Sequence, residues 1–224
     1  MNSFLTSKWT KVVVFILCCV PLGVLLWDAF HHGLAGFPDN MDFGANPIEF
    51  ITHRTGDWTI RFLVITLAIT PLRQILRQPQ LIRFRRMLGL FAFFYGCLHF
   101  ATWIGLDKFF DWHEMWKDVL KRRFITVGFT ALVLMIPLAF TSTAGMIRRL
   151  GGKRWRALHR LIYVSAILGV IHYYWLVKSD VRKPLLYGAL VAILLAWRVL
   201  MWLKNRPKNS SGPAVAPAPS TAGT

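Results

Sequence analysis

His159 and His172 stand thirteen residues apart in one apolar stretch, and Arg85 and His99 stand fourteen apart in another. Imidazole is costly inside hydrocarbon unless it pairs or ligates. Axial histidines supplied by two neighbouring helices are one way in which a protein holds a haem within a bilayer. The chemistry these four residues point to is one-electron transfer at iron, with no substrate-binding domain needed. No C-x-x-C-H sequence is present, so such a haem would lack thioether links and be of the b type.

The elements that must position these groups are membrane helices. The chain has 224 residues, 55% of them hydrophobic, with a mean hydropathy of +0.45. Five apolar runs approach or exceed the roughly 18–20 residues that cross a bilayer core, and a sixth is slightly shorter. They lie at about Val12 to Phe30, Trp58 to Leu76, Met87 to Ile104, Phe124 to Phe140, Leu158 to Val177 and Pro184 to Leu203. The expected fold is therefore all-α, a polytopic six-helix transmembrane bundle over residues 1–208. The segment 209–224, rich in Ser, Pro, Ala and Gly, has nothing to bury and is expected to be disordered. A first span with a basic flank resembles a secretory signal, but no small-residue cleavage site follows it, so it is read as retained.

The net charge of +17 falls in short clusters between apolar runs, which excludes a nucleic-acid face and matches cytoplasmic loops against anionic lipid. Arg73, Arg77, Arg83, Arg85 and Arg86 mark one such loop, and Arg148, Arg149, Lys153, Arg154 and Arg156 another. The first-to-second connection carries Asp39, Asp42, Glu49 and Asp57 against Arg54. The third-to-fourth mixes Asp107, Asp111, Glu114 and Asp118 with basic residues, and both are expected outside. Both termini are then cytoplasmic, with Lys204, Arg206 and Lys208 closing the last span. Cys18, Cys19 and Cys97 fall in apolar runs and read as small buried hydrophobes.

With this topology the third and fifth spans run in the same direction. Arg85 and His159 then share an inner level, and His99 and His172, about 20 Å further along at 1.5 Å per residue, share an outer one. Two imidazoles at the outer level would make a six-coordinate haem. At the inner level Arg85 is either an unusual ligand or the partner of a haem propionate, leaving His159 as sole protein ligand. Fourteen positions return to nearly the same helical face, but thirteen leave an offset of roughly 140°, so the fifth helix is expected to bend or tighten. His31, His32, His53 and His113 lie near outer loops and read as solvated. Trp58, Trp103, Trp112, Trp116, Trp175 and Trp202 read as interfacial anchors. Phe91, Phe93, Phe94 and Tyr95 read as packing. Asp28 and Arg198 read as snorkelling to head groups.

Six strings in this order resemble the MsrQ family, formerly called YedZ, the haem-binding membrane subunit of the methionine sulfoxide reductase MsrPQ. They are Thr-His-Arg-Thr-Gly at 52–56, Ile-Thr-Pro-Leu-Arg at 69–73, Arg-Arg-Met-Leu-Gly-Leu at 85–90, Leu-Ala-Phe-Thr-Ser-Thr at 138–143, Leu-His-Arg-Leu-Ile-Tyr at 158–163 and Ile-His-Tyr-Tyr-Trp at 171–175. The resemblance runs from the first span to the last and belongs to the wider ferric-reductase-like membrane group. It implies haem ligands at His99, His159 and His172, with Arg85 where relatives such as NADPH oxidases have histidine. It further implies a bacterial inner-membrane, respiratory-chain subunit that takes electrons from quinol and passes them to the periplasmic molybdopterin subunit MsrP. FMN is also associated with the family; Gly151-Gly152 is the one faint phosphate-cradling candidate. Two other readings stay open on the residues alone. One is a cytochrome b subunit of another dehydrogenase or ferric reductase; the other is a transporter whose histidines relay protons.

Overall fold

The computed structural model describes residues 7–33 and 46–205, and among these every regular element is helical. In chain order the α-helices are α1 (Lys8–Gly33), α2 (Pro47–Ile75), α3 (Ile82–Thr102), α4 (Trp112–Lys121), α5 (Arg123–Phe140), α6 (Ala144–Leu150), α7 (Gly152–Leu158), α8 (Leu161–Leu176) and α9 (Arg182–Lys204). A 3-10 turn at Pro79–Leu81 leads into α3, and one π turn at Trp103–Asp107 ends it. The tail from Asn209, the acidic Asp39 and Asp42, and Arg206 and Lys208 lie outside the described residues.

Four of these stretches are long and apolar enough to cross a membrane: Lys8–Phe30, Pro79–Asp107, Arg123–Phe140 and Arg182–Lys204. α2 is long enough but carries more charge, and α8 has 16 residues. α2 pairs with α3 and α5 pairs with α8. α9 closes against α2 and α8, while α1 flanks α3. The core between them is built from Ile60, Leu63 and Leu67 of α2, Leu88 and Ala92 of α3, Met135 and Leu138 of α5, and Ala166 of α8.

Several boundaries differ from the sequence expectation. α2 begins at Pro47, eleven residues before Trp58. Asn46 caps it by accepting the Glu49 N–H at 3.2 Å, and proline in the first turn needs no donor there. Glu49, Arg54 and Asp57 therefore belong to a helix, not a loop. Trp58 is no end anchor, because it packs against Phe62 and Tyr95 with Arg61 above its ring. The fourth-to-fifth connection folds into α6 and α7, hinged at Gly151, whose φ of 74° suits glycine. Of the three cysteines, Cys18 is buried but Cys19 and Cys97 are exposed on the bundle surface.

Polar side chains repair the backbone at two places where a helix is opened. In α1, beside Pro21, the Tyr95 hydroxyl sits in the ladder itself: it accepts the Leu22 N–H at 3.1 Å and donates to the Cys18 carbonyl at 2.9 Å. In α2, Pro71 cannot donate to the Leu67 carbonyl four residues back. The Arg198 guanidinium of α9 donates to that carbonyl instead, and also to Leu194 O at 2.9 Å, with Tyr163 against its face. Arg198 is thus turned into the bundle and does not snorkel. Next to it Trp197 donates to Gln74 at 2.9 Å, so α9 is fastened to α2 at two adjacent points.

Arg198→Met is therefore expected to cost about 0.5–2 kcal/mol, the range for interhelical hydrogen bonds in membranes. In a Pro71→Ala background, where the backbone N–H at 71 can pair the Leu67 carbonyl, the cost should shrink. Reversible unfolding of the four proteins in mixed micelles measures this coupling. Equal costs in both backgrounds would show that the carbonyl is not what Arg198 serves.

Candidate functional site

His99 sits near the end of α3, one turn before the π turn, and His172 sits near the end of α8. Their ring centroids are 6.0 Å apart with planes at 73°. Each imidazole is held from behind. His99 Nδ1 lies 2.8 Å from the Thr52 carbonyl of α2, and His172 Nδ1 lies 2.7 Å from the Phe124 carbonyl of α5. A carbonyl only accepts, so each Nδ1 carries the proton and donates it. Each Nε2 is left with a free lone pair, the state a metal-binding histidine needs.

Two glycines make room for those rings. A Cβ at Gly56 of α2 would come within 3.1 Å of the His99 ring, and one at Gly128 of α5 within 2.5 Å of His172 Nδ1. The second approach is closer than carbon and nitrogen tolerate, and the ring cannot retreat without losing Phe124. The two histidines face a common cavity whose wall is largely apolar, with Ile60, Leu63, Leu132 and Met135 among its residues. Two buried hydroxyls of that wall, on Thr52 and Ser165, have no hydrogen-bond partner.

Arg85 and His159 line a second cavity at the other end of α3 and α8, together with Arg86, Arg156, Arg160 and Tyr163. His159 lies outside the apolar helix. It follows α7 in a tight turn, with its N–H bonded to Trp155 O at 3.0 Å, and α8 starts only at Leu161. This break answers the thirteen-residue offset: the two histidines of this segment are not on one continuous helix, so their phases are independent.

The hydrogen bonding of His159 is the reverse of the outer pair. Its Nε2 lies 3.1 Å from Thr141 Oγ1, and that hydroxyl spends its own proton on the Pro137 carbonyl at 2.6 Å. His159 therefore donates from Nε2 and keeps Nδ1 bare. Its ring stacks on Trp155 at 3.9 Å between centroids, and Trp155 in turn donates to the Thr141 carbonyl at 2.9 Å.

The four residues singled out in the sequence thus fall into two cavities, with His99 and His172 in one and Arg85 and His159 in the other. His53 lines the first cavity as well. The side chains of His31 and His32 are outside the described residues. Sequence reasoning missed the supports: the Thr52 and Phe124 carbonyls, Gly128, Thr141 and Trp155. Only Gly56, Thr52 and Thr141 had a signal, the first two as members of the Thr-His-Arg-Thr-Gly string and the third of Leu-Ala-Phe-Thr-Ser-Thr. Asp57, read as a loop acid, lines the outer cavity beside Arg61, 3.9 Å away.

A helical bundle that holds a histidine pair in one cavity and a histidine beside an arginine in a second defines a class, and known proteins agree with it. Residues 55–170 match the family described as Ferric reductase like transmembrane component. Three relatives are each named Protein-methionine-sulfoxide reductase heme-binding subunit MsrQ. The one from Herminiimonas arsenicoxydans is 55% identical over 203 residues, covering 90% of this chain and 89% of the relative. That from Rhodospirillum rubrum is 50% identical, covering 88% and 90%, and that from Caulobacter vibrioides is 47% identical, covering 90% of each. The chain is a ferric-reductase-like transmembrane protein. Within that class it belongs to the MsrQ family, and it is a multi-pass protein of the bacterial inner membrane.

Proposed function

We propose that this chain is the haem b electron-transfer subunit of a methionine sulfoxide reductase, with one haem held between His99 and His172. The 6.0 Å separation of two imidazoles, each fixed through Nδ1, carries this reading. Metal–imidazole bonds are about 2.0–2.1 Å long. With about 1 Å more from nitrogen to ring centre on each side, two ligands of one iron have centroids about 6 Å apart, so the residues present fit the group. A haem bound there supplies reversible one-electron transfer at low-spin iron. The protein's part is to orient both rings, raise their basicity through the two carbonyl bonds, and keep the cavity apolar.

For the second cavity we propose His159 as the protein ligand of a second haem, with Arg85 at a propionate. The donor set there is one imidazole and several guanidiniums, which suits an iron ligand beside a carboxylate edge better than it suits a second bis-histidine site. Ligation through Nε2 would exchange the Thr141 hydroxyl for iron.

All six long helices cross the bilayer in this reading. α2 is about 43 Å long at 1.5 Å per residue, and α8 is about 24 Å. Each packs alongside apolar neighbours, α2 against α3 and α9, α8 against α5 and α9. The basic connections around Arg85 and Arg154 face the cytoplasm, with both termini. Residues 1–208 form the haem-binding domain. Electrons come from quinol and leave to a periplasmic molybdopterin subunit, MsrP, where each methionine sulfoxide takes up two electrons and two protons to give methionine and water. The names of the relatives support the methionine sulfoxide reductase partnership. Quinol and FMN enter through the family resemblance, and Gly151-Gly152 is accounted for as the hinge between α6 and α7.

Purified protein is expected to show a sharp Soret band that shifts on dithionite reduction, which a proton-relay transporter would not. His99→Ala and His172→Ala should each lose the bis-imidazole haem, and normal haem content in both would overturn the assignment. Gly128→Ala should also lose it, and more completely than Gly56→Ala, because its added carbon displaces a ring already pinned to Phe124. His159→Ala should instead remove only the second haem, leaving the His99–His172 signal in low-temperature spectra.

A further inference from the structure

α4 follows the π turn that ends α3, at the end of the bundle that carries His99 and His172, and its 10 residues present three faces. The inward face is Met115 and Asp118, both buried. Asp118 meets Lys108 at 2.7 Å and Arg122 at 3.0 Å, and Lys108 also meets Glu114 at 3.0 Å. This network ties the helix to the end of the π turn and holds the Lys108 ammonium above the usual lysine range, chiefly through its bond to Asp118.

The second face is apolar and turned outward. Trp112, Trp116 and Leu120, spaced by one turn each, are 67%, 64% and 68% exposed. Phe109 and Phe110 lie just before them in left-handed backbone, φ 45° and 62°, and both rings are exposed. The third face is His113, Lys117 and Lys121, followed by Arg123. All are exposed, and no acidic partner pairs with Lys117, Lys121 or Arg123 among the described residues.

The position of α4 decides what covers the apolar row. It follows the Pro79–Asp107 stretch and runs directly into Arg123–Phe140, both apolar enough to cross a bilayer, so it lies where the chain leaves hydrocarbon and returns. Tryptophans at that depth, with cations on the adjoining face, are the composition of a helix lying in the membrane interface. We propose that α4 is such a helix, with Trp112, Trp116 and Leu120 in the acyl boundary and Lys117, Lys121 and Arg123 on anionic lipid phosphates. Phe124, whose carbonyl holds His172, begins three residues after α4 ends, so the same anchorage sets the depth of that histidine's support.

Spin labels test this in the full-length, haem-loaded protein, after the three native cysteines are replaced. Trp116→Cys, Leu120→Cys and Lys117→Cys variants are labelled in nanodiscs containing phosphatidylglycerol, and relaxation by oxygen is compared with relaxation by a water-soluble nickel chelate. Labels at 116 and 120 should respond to oxygen and be shielded from nickel, with the order reversed at 117. Nickel access at all three sites would overturn the proposal. So would shielding at 116 and 120 that arises only when a periplasmic reductase subunit is added, which would make the face a protein dock. Unchanged haem spectra in the variants confirm that the bundle is intact.

Discussion

In hydrocarbon a backbone carbonyl has no water to turn to, and this bundle is organised around that constraint. Two helix openings are closed by side chains from a different helix. Tyr95 of α3 enters the ladder of α1, and Arg198 of α9 takes the carbonyl that Pro71 frees in α2. His99 and His172 follow the same rule. Each crosses to a neighbour and donates to a main-chain carbonyl, Thr52 O in α2 and Phe124 O in α5. The bonds that dock the helices are therefore also the bonds that set the imidazole tautomer. Packing and chemistry are not separable here, because tilting α2 or α5 would turn a histidine ring.

Glycine completes that coupling. A histidine that hydrogen-bonds to a carbonyl on an adjacent helix must lie against the helix surface, where a side chain would ordinarily stand. Gly56 and Gly128 each lie one turn after the carbonyl in question, Thr52 and Phe124, and so vacate the patch beside it. The motif is carbonyl at i, glycine at i+4, imidazole in the gap. It occurs in α2 and α5, two of the four helices that line the His99–His172 cavity.

The sequence made the apolar helices and the grouping of the four polar residues legible, since each rests on composition or on rise per residue, whereas the basic residues read as loops lie largely in helices, Arg73 in α2, Arg83, Arg85 and Arg86 in α3, and the second cluster in α6 and α7. It hid what depends on contacts between helices. The start of α2 at Pro47 was obscured because Glu49, Arg54 and Asp57 look like loop charges, although Asn46-Pro47 is a good helix start. The turn at His159 was foreshadowed only as a phase mismatch between thirteen residues and the helical period. Gly128 carried no local signal at all, for its reason is a ring belonging to a residue 44 positions away.

The two cavities are unequal, and the inequality is in the protons. At the outer pair both Nδ1 protons are committed and both Nε2 lone pairs are free, so nothing has to reorganise before a metal is held. At His159 the committed nitrogen is Nε2, the supporting group is a hydroxyl, and the ring is clamped on Trp155 in the turn between α7 and α8. His159 follows the short helices α6 and α7, whereas His99 and His172 stand within α3 and α8, packed against α2 and α5. The His99–His172 pair is thus pre-set for a metal by its hydrogen bonds, whereas His159 would first have to give up its bond to Thr141.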